Sequence, residues 1–332
     1  MAVRVGMIGA GFIGVRHLKN LAAMADARIV GVADSDGARA QEQAAACGAR
    51  AYCDWRALLE NERPDAAYIC LPPFAHGEPE QALIERGIPF FTEKPLATTA
   101  EVPERIAAQV QARGLVTSVG YHWRYLDTLE LARQVVEGHP PRLALGFWID
   151  FVPPPPWWTR RECSGGQVVE QATHILDLAR HLLGEPRRVF AVACHGGLGH
   201  YPEADIDAAT VATLQFPSGA VAVIASSCLV HYPHRIGLWL YAEDLIVECR
   251  EFSLRIEEPQ GTQTYEPQVD PFFVEDQAFI HAVQAGDTSG IRVPYQEALR
   301  SHRLTMRVVE AAATGQPLTV AADARDKARL NG

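Results

Sequence analysis

The sequence predicts an α/β protein with two parts: an N-terminal doubly wound parallel sheet, then an α+β domain with a large, mostly antiparallel open sheet. Three observations carry this. Short β-type runs alternate with helical stretches through roughly the first 120 residues, the pattern of strand–helix–strand units. A glycine-rich turn, Gly9-Ala10-Gly11-Phe12-Ile13-Gly14, follows the first of those runs. Beyond Gly120 the texture changes to consecutive β-like runs joined by turn residues.

In chain order, residues 3–8 form the first strand and 28–33 a second, rich in β-branched residues. Residues 65–71, 88–92 and 115–119 supply further strands. Helices are expected over 38–46 and 80–86, and Gly48, Gly87 and Gly114 act as stops. The second part opens with a helix over 126–137, a strand over 143–151 and a stiff loop, 152–158, holding four consecutive prolines at 153–156. A helix over 168–183 ends at Gly184 with Pro186 beyond it. Strands follow over 189–195, 210–216, 220–226, 236–241, 245–249 and 254–257, with hairpin turns at 217–219 and 242–244. Helices over 273–285 and 295–314 close the chain. The expected domains are 1–121 and 122–332.

A chain of 332 residues is long enough for two cores. A net charge of −10 with no basic run excludes a general nucleic-acid binder, because phosphate contacts need clustered Lys and Arg. No stretch reaches the ~20 apolar residues of a membrane span. The opening MAVRVGMIGAGFIG reads as a strand entering a turn rather than a leader, so a cytoplasmic protein is expected. The seven cysteines are scattered and form no Cys-x-x-Cys pair, which fits buried thiols rather than a metal site.

Gly9, Gly11 and Gly14 follow an apolar strand and open a helix near Ile13. Glycines there allow a tight turn and let backbone amides approach a pyrophosphate at a helix N-terminus. Asp34 closes the second strand, 20 residues beyond Gly14, where an acid accepts the ribose hydroxyls of an adenosine. The turn, with Phe12, Ile13 and Ser35 beside it, is therefore a Rossmann-type dinucleotide site. The acid favours NAD, since a 2′-phosphate would meet a like charge; Ser35 and Arg39 leave room for NADP.

In the second part, Glu170, His174, Asp177 and His181 lie at i, i+4, i+7 and i+11 of one helix pattern, a polar stripe on an otherwise apolar helix. Such a stripe is costly if buried without partners, so it should face a cleft, and Gly165-Gly166 before it would bring backbone close to a ligand. Such a set also resembles metal ligands, although zinc sites need a tighter, closed donor set. No metal is expected. His181, further along, reads as structural, and His231 and His234 as loop residues.

The segment 69–95, ICLPPFAHGEPEQALIERGIPFFTEKP, resembles the glucose–fructose oxidoreductase / inositol dehydrogenase family (Gfo/Idh/MocA). The resemblance extends to the N-terminal glycines, Tyr121-His122-Trp123-Arg124-Tyr125, Gly165-Gly166…Glu170…His174…Asp177 and the ending 298–320. It implies an oxidoreductase that moves a hydride between NAD(P) and a secondary alcohol of a sugar, sugar derivative or cyclitol. It places Leu71, Pro72, Pro73, His76, Glu93 and Lys94 beside the cofactor. Lys94 and His174 become the groups that handle the hydroxyl proton, with Glu170 orienting His174 or binding substrate. Substrate contacts are expected from Tyr121, His122, Trp123 and Arg124, near an interdomain cleft, and from Trp157 and Asp177. Core packing for Trp123 and a subunit contact for Trp157 and Trp158 are the alternatives. Independently of the family, Lys94 lies just past the end of a strand, where open α/β sheets bind ligands, and Pro95 restricts it to extended geometry. Glu93 either meets the cofactor ribose or holds Lys94, and the bond before Pro95 is often cis in the family. Two other activities within the family stay open, an NAD-dependent glycoside hydrolase and a non-enzymatic NAD sensor. A homodimer or homotetramer is expected through the second sheet.

Overall fold

A computed structural model describes residues 1–320. The chain begins β1 (Val3–Ile8), α1 (Phe12–Ala22), β2 (Ala27–Ala33), α2 (Gly37–Cys47), β3 (Arg50–Tyr52), α3 (Trp55–Glu62), β4 (Ala66–Ile69), α4 (Glu78–Arg86), β5 (Phe90–Thr92), α5 (Glu101–Arg113) and β6 (Thr117–Val119). It continues α6 (Asp127–Gly138), β7 (Leu143–Ile149), α7 (Arg161–Ser164), α8 (Gln167–Glu170), α9 (Thr173–Leu183), β8 (Arg188–His195), β9 (Asp207–Gln215) and β10 (Val221–Ser227). It ends β11 (Arg235–Ala242), β12 (Leu245–Arg250), β13 (Ser253–Glu258), β14 (Gly261–Tyr265), α10 (Pro271–Ala285), α11 (Tyr295–Thr314) and β15 (Leu318–Thr319).

The first unit comprises residues 1–125 and 269–299. Its sheet is wholly parallel, in the order β3-β2-β1-β4-β5-β6. This is the doubly wound order, with its reversal between β1 and β4. Strands covered on both faces lose the polar half of their alternation, and these did. Val5, Met7, Tyr68 and Phe91 point to one core, whereas Ile8, Ala67, Ile69 and Phe90 point to the other.

The sequence reading placed one cut at 121/122. The chain instead leaves the first unit at 125/126 and returns to it at 269–299, a correction to the expected second domain. The reason lies in packing. Phe279 and Ile280 of α10 complete one core of the parallel sheet, and Val293, Tyr295, Ala298 and Leu299 join the other. Residues 321–332 of the expected second domain lie outside the described residues.

Among the described residues, the second unit comprises 126–268 and 300–320. Its nine strands run β14-β13-β12-β11-β7-β10-β9-β8-β15. All neighbours are antiparallel except β7 and β10. Gly146 on β7 lets α9 lie against the sheet: a Cβ there would come within 2.5 Å of Ile175 Cγ2. Alternate residues, among them Phe190, Val192, Val211 and Val221, are exposed.

The helix expected over 168–183 is two helices. At the break, Ala172 N donates to Gln167 O five residues back, and His174 N to Gln171 O three residues back. The Gln167 amide donates to Gln171 Oε1 across the irregular turn (3.1 Å). Such a local widening re-aims the residues on either side of it. No helix among the described residues is long and apolar enough to cross a membrane.

Candidate active site

The glycine turn is closed on two sides and open on the third. Gly9 has φ +93°, and a Cβ there would stand 2.3 Å from Cys70 O; a Cβ on Gly14 would stand 2.3 Å from Gly9 O. At Gly11 a Cβ would meet nothing within 4 Å. Strand and helix therefore pack through Gly9 and Gly14, and the space beside Gly11 adjoins the first-turn amides of α1, which a helix cannot satisfy internally. That is the cradle a dinucleotide pyrophosphate needs. Phe12, the first residue of α1, is exposed, and Ile13 is partly buried.

Asp34 stands at the end of β2 as expected. Its carboxylate accepts from Ala10 N (2.9 Å) and Asp36 N (2.9 Å), and from both Nε (3.0 Å) and Nη2 (2.7 Å) of Arg39. Burial alone would raise its pKa, but the hydrogen bonds from Arg39 and the backbone outweigh burial and hold it below the usual carboxylate range. Asp34 is thus held as an anion, and Arg39 supplies an adjacent cation. Ser35 is exposed beside them. Replacing Asp34 by serine removes the anion and leaves the guanidinium. The ratio of kcat/KM for NADP⁺ over NAD⁺ is then expected to rise by at least about tenfold. Steady-state assays with each cofactor check this, and an unchanged ratio contradicts the assignment.

The turn after β4 carries Leu71, Pro72 and Pro73, expected beside the cofactor. His76, placed with them, is buried. Its Nδ1 pairs with Glu80 Oε1 (2.6 Å) and its Nε2 donates to Leu71 O (3.2 Å). Burial would lower its pKa, yet Glu80 holds it above the ordinary value. Both ring nitrogens are committed, so His76 shapes the turn from within.

Lys94 follows β5 and is partly buried, and its bond to Pro95 is cis. Glu93 beside it is buried. Its Oε2 accepts from Lys94 N (3.2 Å) and its Oε1 from His17 Nε2 (3.1 Å). Of the two roles open for Glu93, the contacts support holding Lys94. Gly120 exists for this carboxylate, since a Cβ there would approach Glu93 Oε1 to 2.3 Å.

Tyr121, His122, Trp123 and Arg124 are all buried. His122 stacks on Phe272 (centroids 4.0 Å apart), and Arg124 pairs with Glu297 (3.3 Å) while its carbonyl accepts from Arg292 (2.6 Å). These contacts tie His122 and Arg124 to the returning segment 269–299.

In the second unit His174 is buried at the start of α9, and Trp148 of β7 stacks along it (centroids 5.5 Å, planes 17° apart). Glu170 ends α8 and its Oε2 accepts from Trp158 Nε1 (2.8 Å). Trp157 is partly buried beside Trp158. Asp177 is buried, and its Oδ1 accepts from Ser301 Oγ and lies 3.6 Å from Nη1 of Arg180, which also pairs with the partly exposed Glu185. These contacts anchor α9. The glycine pair before α8 also serves the chain: Gly165 and Gly166 have φ +74° and +88°, and Val169 fills the space beside Gly165.

Two family models match the chain: an oxidoreductase family with an NAD-binding Rossmann fold over residues 3–121, and the GFO/IDH/MocA C-terminal domain over residues 133–248. The chain belongs to the Gfo/Idh/MocA family of oxidoreductases. Among curated Gfo/Idh/MocA relatives, the myo-inositol 2-dehydrogenase of Thermotoga maritima is 28% identical over 312 residues, covering 87% of this chain and 90% of that one. A putative myo-inositol dehydrogenase from Sinorhizobium meliloti has a solved structure that matches with a TM-score of 0.81 at 26% identity, over 96% of this chain and all of that one. Levoglucosan dehydrogenase in complex with NADH shares the fold, with a TM-score of 0.87 at 22% identity, over 97% of this chain and 100% of the other. The chain is therefore a Gfo/Idh/MocA enzyme whose cofactor is NAD, and the open side of Gly11 with the anion of Asp34 fits that cofactor.

Three features of the site escaped the sequence reading. Trp148 sat unremarked inside a strand pattern. His17 interrupts the apolar face of α1, and Glu275-Asp276 form an acidic pair in the otherwise apolar PFFVEDQAFIHAVQA. A charged pair on such a helix was the available signal.

Proposed function

We propose that this enzyme oxidises a secondary alcohol of a cyclitol or sugar, with Lys94 of the first unit and His174 of the second as the residues that handle its hydroxyl proton. The observation that carries the reading is Lys94 held by its own main chain at the C-terminal edge of the parallel sheet, the edge that also carries the glycine turn. NAD, when bound, accepts the hydride. Lys94 Nζ donates a hydrogen bond to the substrate oxygen and fixes it. His174 takes the hydroxyl proton, a task suited to imidazole because its ordinary pKa lies near neutral pH. Trp148, stacked along the imidazole, limits its orientations and excludes water. Glu170, braced by Trp158, lines the approach to His174 and contacts substrate hydroxyls. No metal takes part in this reading.

The curated relatives support the substrate class. They include inositol and scyllo-inositol 2-dehydrogenases, levoglucosan dehydrogenase and a D-xylose 1-dehydrogenase. All are named as redox enzymes, so the hydrolase and the sensor are not favoured. The apolar outer face of the nine-stranded sheet, with Phe190, Val192, Val211 and Val221 exposed, supports pairing with a second copy in a homodimer or homotetramer. A cytoplasmic setting belongs to the same proposal, supported by seven free thiols.

The test is NADH formation from NAD⁺ with a panel of inositols, sugars and sugar acids, repeated with His174→Ala. Net NADH with at least one polyol is expected, and His174→Ala is expected to lower kcat on the order of a hundredfold or more with NADH affinity retained. Full turnover in His174→Ala removes that residue from the chemistry.

A further inference from the structure

Behind Lys94 lies a buried group of ionisable side chains that the reaction does not touch. His17 of α1 is wholly buried, with Nδ1 2.7 Å from Asp276 Oδ1 and Nε2 3.1 Å from Glu93 Oε1. The second oxygen of Asp276 accepts from Asn20 Nδ2 (2.8 Å), and the second oxygen of Glu93 accepts from Lys94 N (3.2 Å). Glu275 is wholly buried too, and neither of its oxygens has a hydrogen-bond partner. One of them lies within 4.8 Å of donor atoms on His17 and Glu93. The floor is apolar: Tyr68 stacks on Phe91 (4.8 Å), and Phe279 meets both edge-on (5.5 and 6.0 Å). The other titratable groups facing Glu275 are Tyr68 of β4, Cys70 just after that strand, Tyr125, and Asp270, which is paired with Arg16.

The charges follow from hydrogen-bond capacity. Each ring nitrogen of His17 faces a carboxylate oxygen, and only an imidazolium donates from both. One cation then serves Asp276 and Glu93, and a third carboxylate in the same dry space has none. Burial raises Glu275 well above the usual carboxylate range, with the Glu93 charge acting the same way. Burial opposes the charge on His17, but Asp276 and Glu93 overcome it and hold His17 well above its ordinary value.

We propose that His17 and Asp276 form a positioning relay that clamps Glu93, and through it the main chain of Lys94, in the geometry the reaction needs. The imidazolium, oriented by Asp276, fixes Glu93 Oε1. That leaves Oε2 to hold Lys94 N. These are positioning residues, and the proposal rests on Lys94 meeting the substrate hydroxyl.

The sign of the pH dependence is fixed by His17. A raised imidazolium keeps the clamp closed until pH climbs through its folded pKa, and removing Asp276 lowers that point. Asp276→Asn is therefore expected to move the alkaline fall of kcat to lower pH. NADH binding and the thermal midpoint, measured for this variant, separate positioning from unfolding. The nitrogen NMR shifts of His17 in the unmodified protein do not depend on any variant folding, and both ring nitrogens are expected to be protonated at neutral pH. The relay is overturned by a neutral His17 or by a pH profile of folded Asp276→Asn that superimposes on wild type. One divalent cation per chain in the purified enzyme, held by His17, Glu93 and Glu275, also overturns it. Failure of the functional reading looks different: Lys94→Ala then keeps its turnover whatever the relay variant does.

Discussion

Replacing Lys94 by alanine is expected to lower kcat/KM by on the order of a thousandfold, equivalent to about 4 kcal/mol of transition-state stabilisation. The size follows from what is lost together, a positioned donor to the reacting oxygen and the proton-transfer assistance it gives. NADH affinity should change little, because the features that hold the adenosine and pyrophosphate belong to Gly9–Gly14 and Asp34. The fold should also survive, since Lys94 is only partly buried and its main-chain bond to Glu93 does not depend on the side chain. Steady-state kinetics beside cofactor fluorescence titration read both quantities. A variant with ordinary kcat and weakened NADH binding would assign Lys94 to the cofactor instead.

Gly9→Ala is expected to be the most damaging single change in the cofactor site. The new Cβ would stand 2.3 Å from the carbonyl oxygen and 2.8 Å from the carbonyl carbon of Cys70, and the backbone there has φ +93°. Neither neighbour is a side-chain tip that could rotate away. The strain of a non-glycine residue in that region adds roughly 1–3 kcal/mol before any clash is relieved. Relief requires β1 and β4 to part where the turn begins, so NAD⁺ affinity should fall by more than about a hundredfold and the thermal midpoint should drop. Gly11→Ala serves as the contrast: its Cβ meets no protein atom, so the fold should stand while the added methyl intrudes on the pyrophosphate space. Calorimetry and cofactor titration of the two variants distinguish a packing glycine from a ligand-facing one.

What was legible in the sequence was local. Glycine spacing, the acid at the end of β2 and the strand alternation all report on neighbours along the chain, and each led to the right element. The return of 269–299 to the first unit was not legible, because it depends on which sheet face the apolar residues of α10 cover. The same distance in sequence hid the partnership of His17 with Asp276, 259 residues apart. Helical spacing held for His174 and Asp177, both on α9, but the widened turn at 171–172 separates Glu170 from that helix. For Lys94 the sequence supplied the position and the structure supplied the support, a buried glutamate that fits only because residue 120 is glycine.

The central claim is direct hydride transfer from the carbon bearing the hydroxyl held by Lys94. The most direct measurement uses a polyol substrate deuterated at that carbon and mass analysis of the reduced cofactor after turnover. The account expects the deuterium on the nicotinamide ring of the NADH that accumulates, with a slowed rate for the labelled substrate. Reduced cofactor free of deuterium, or substrate consumed with none of the cofactor reduced, would contradict it.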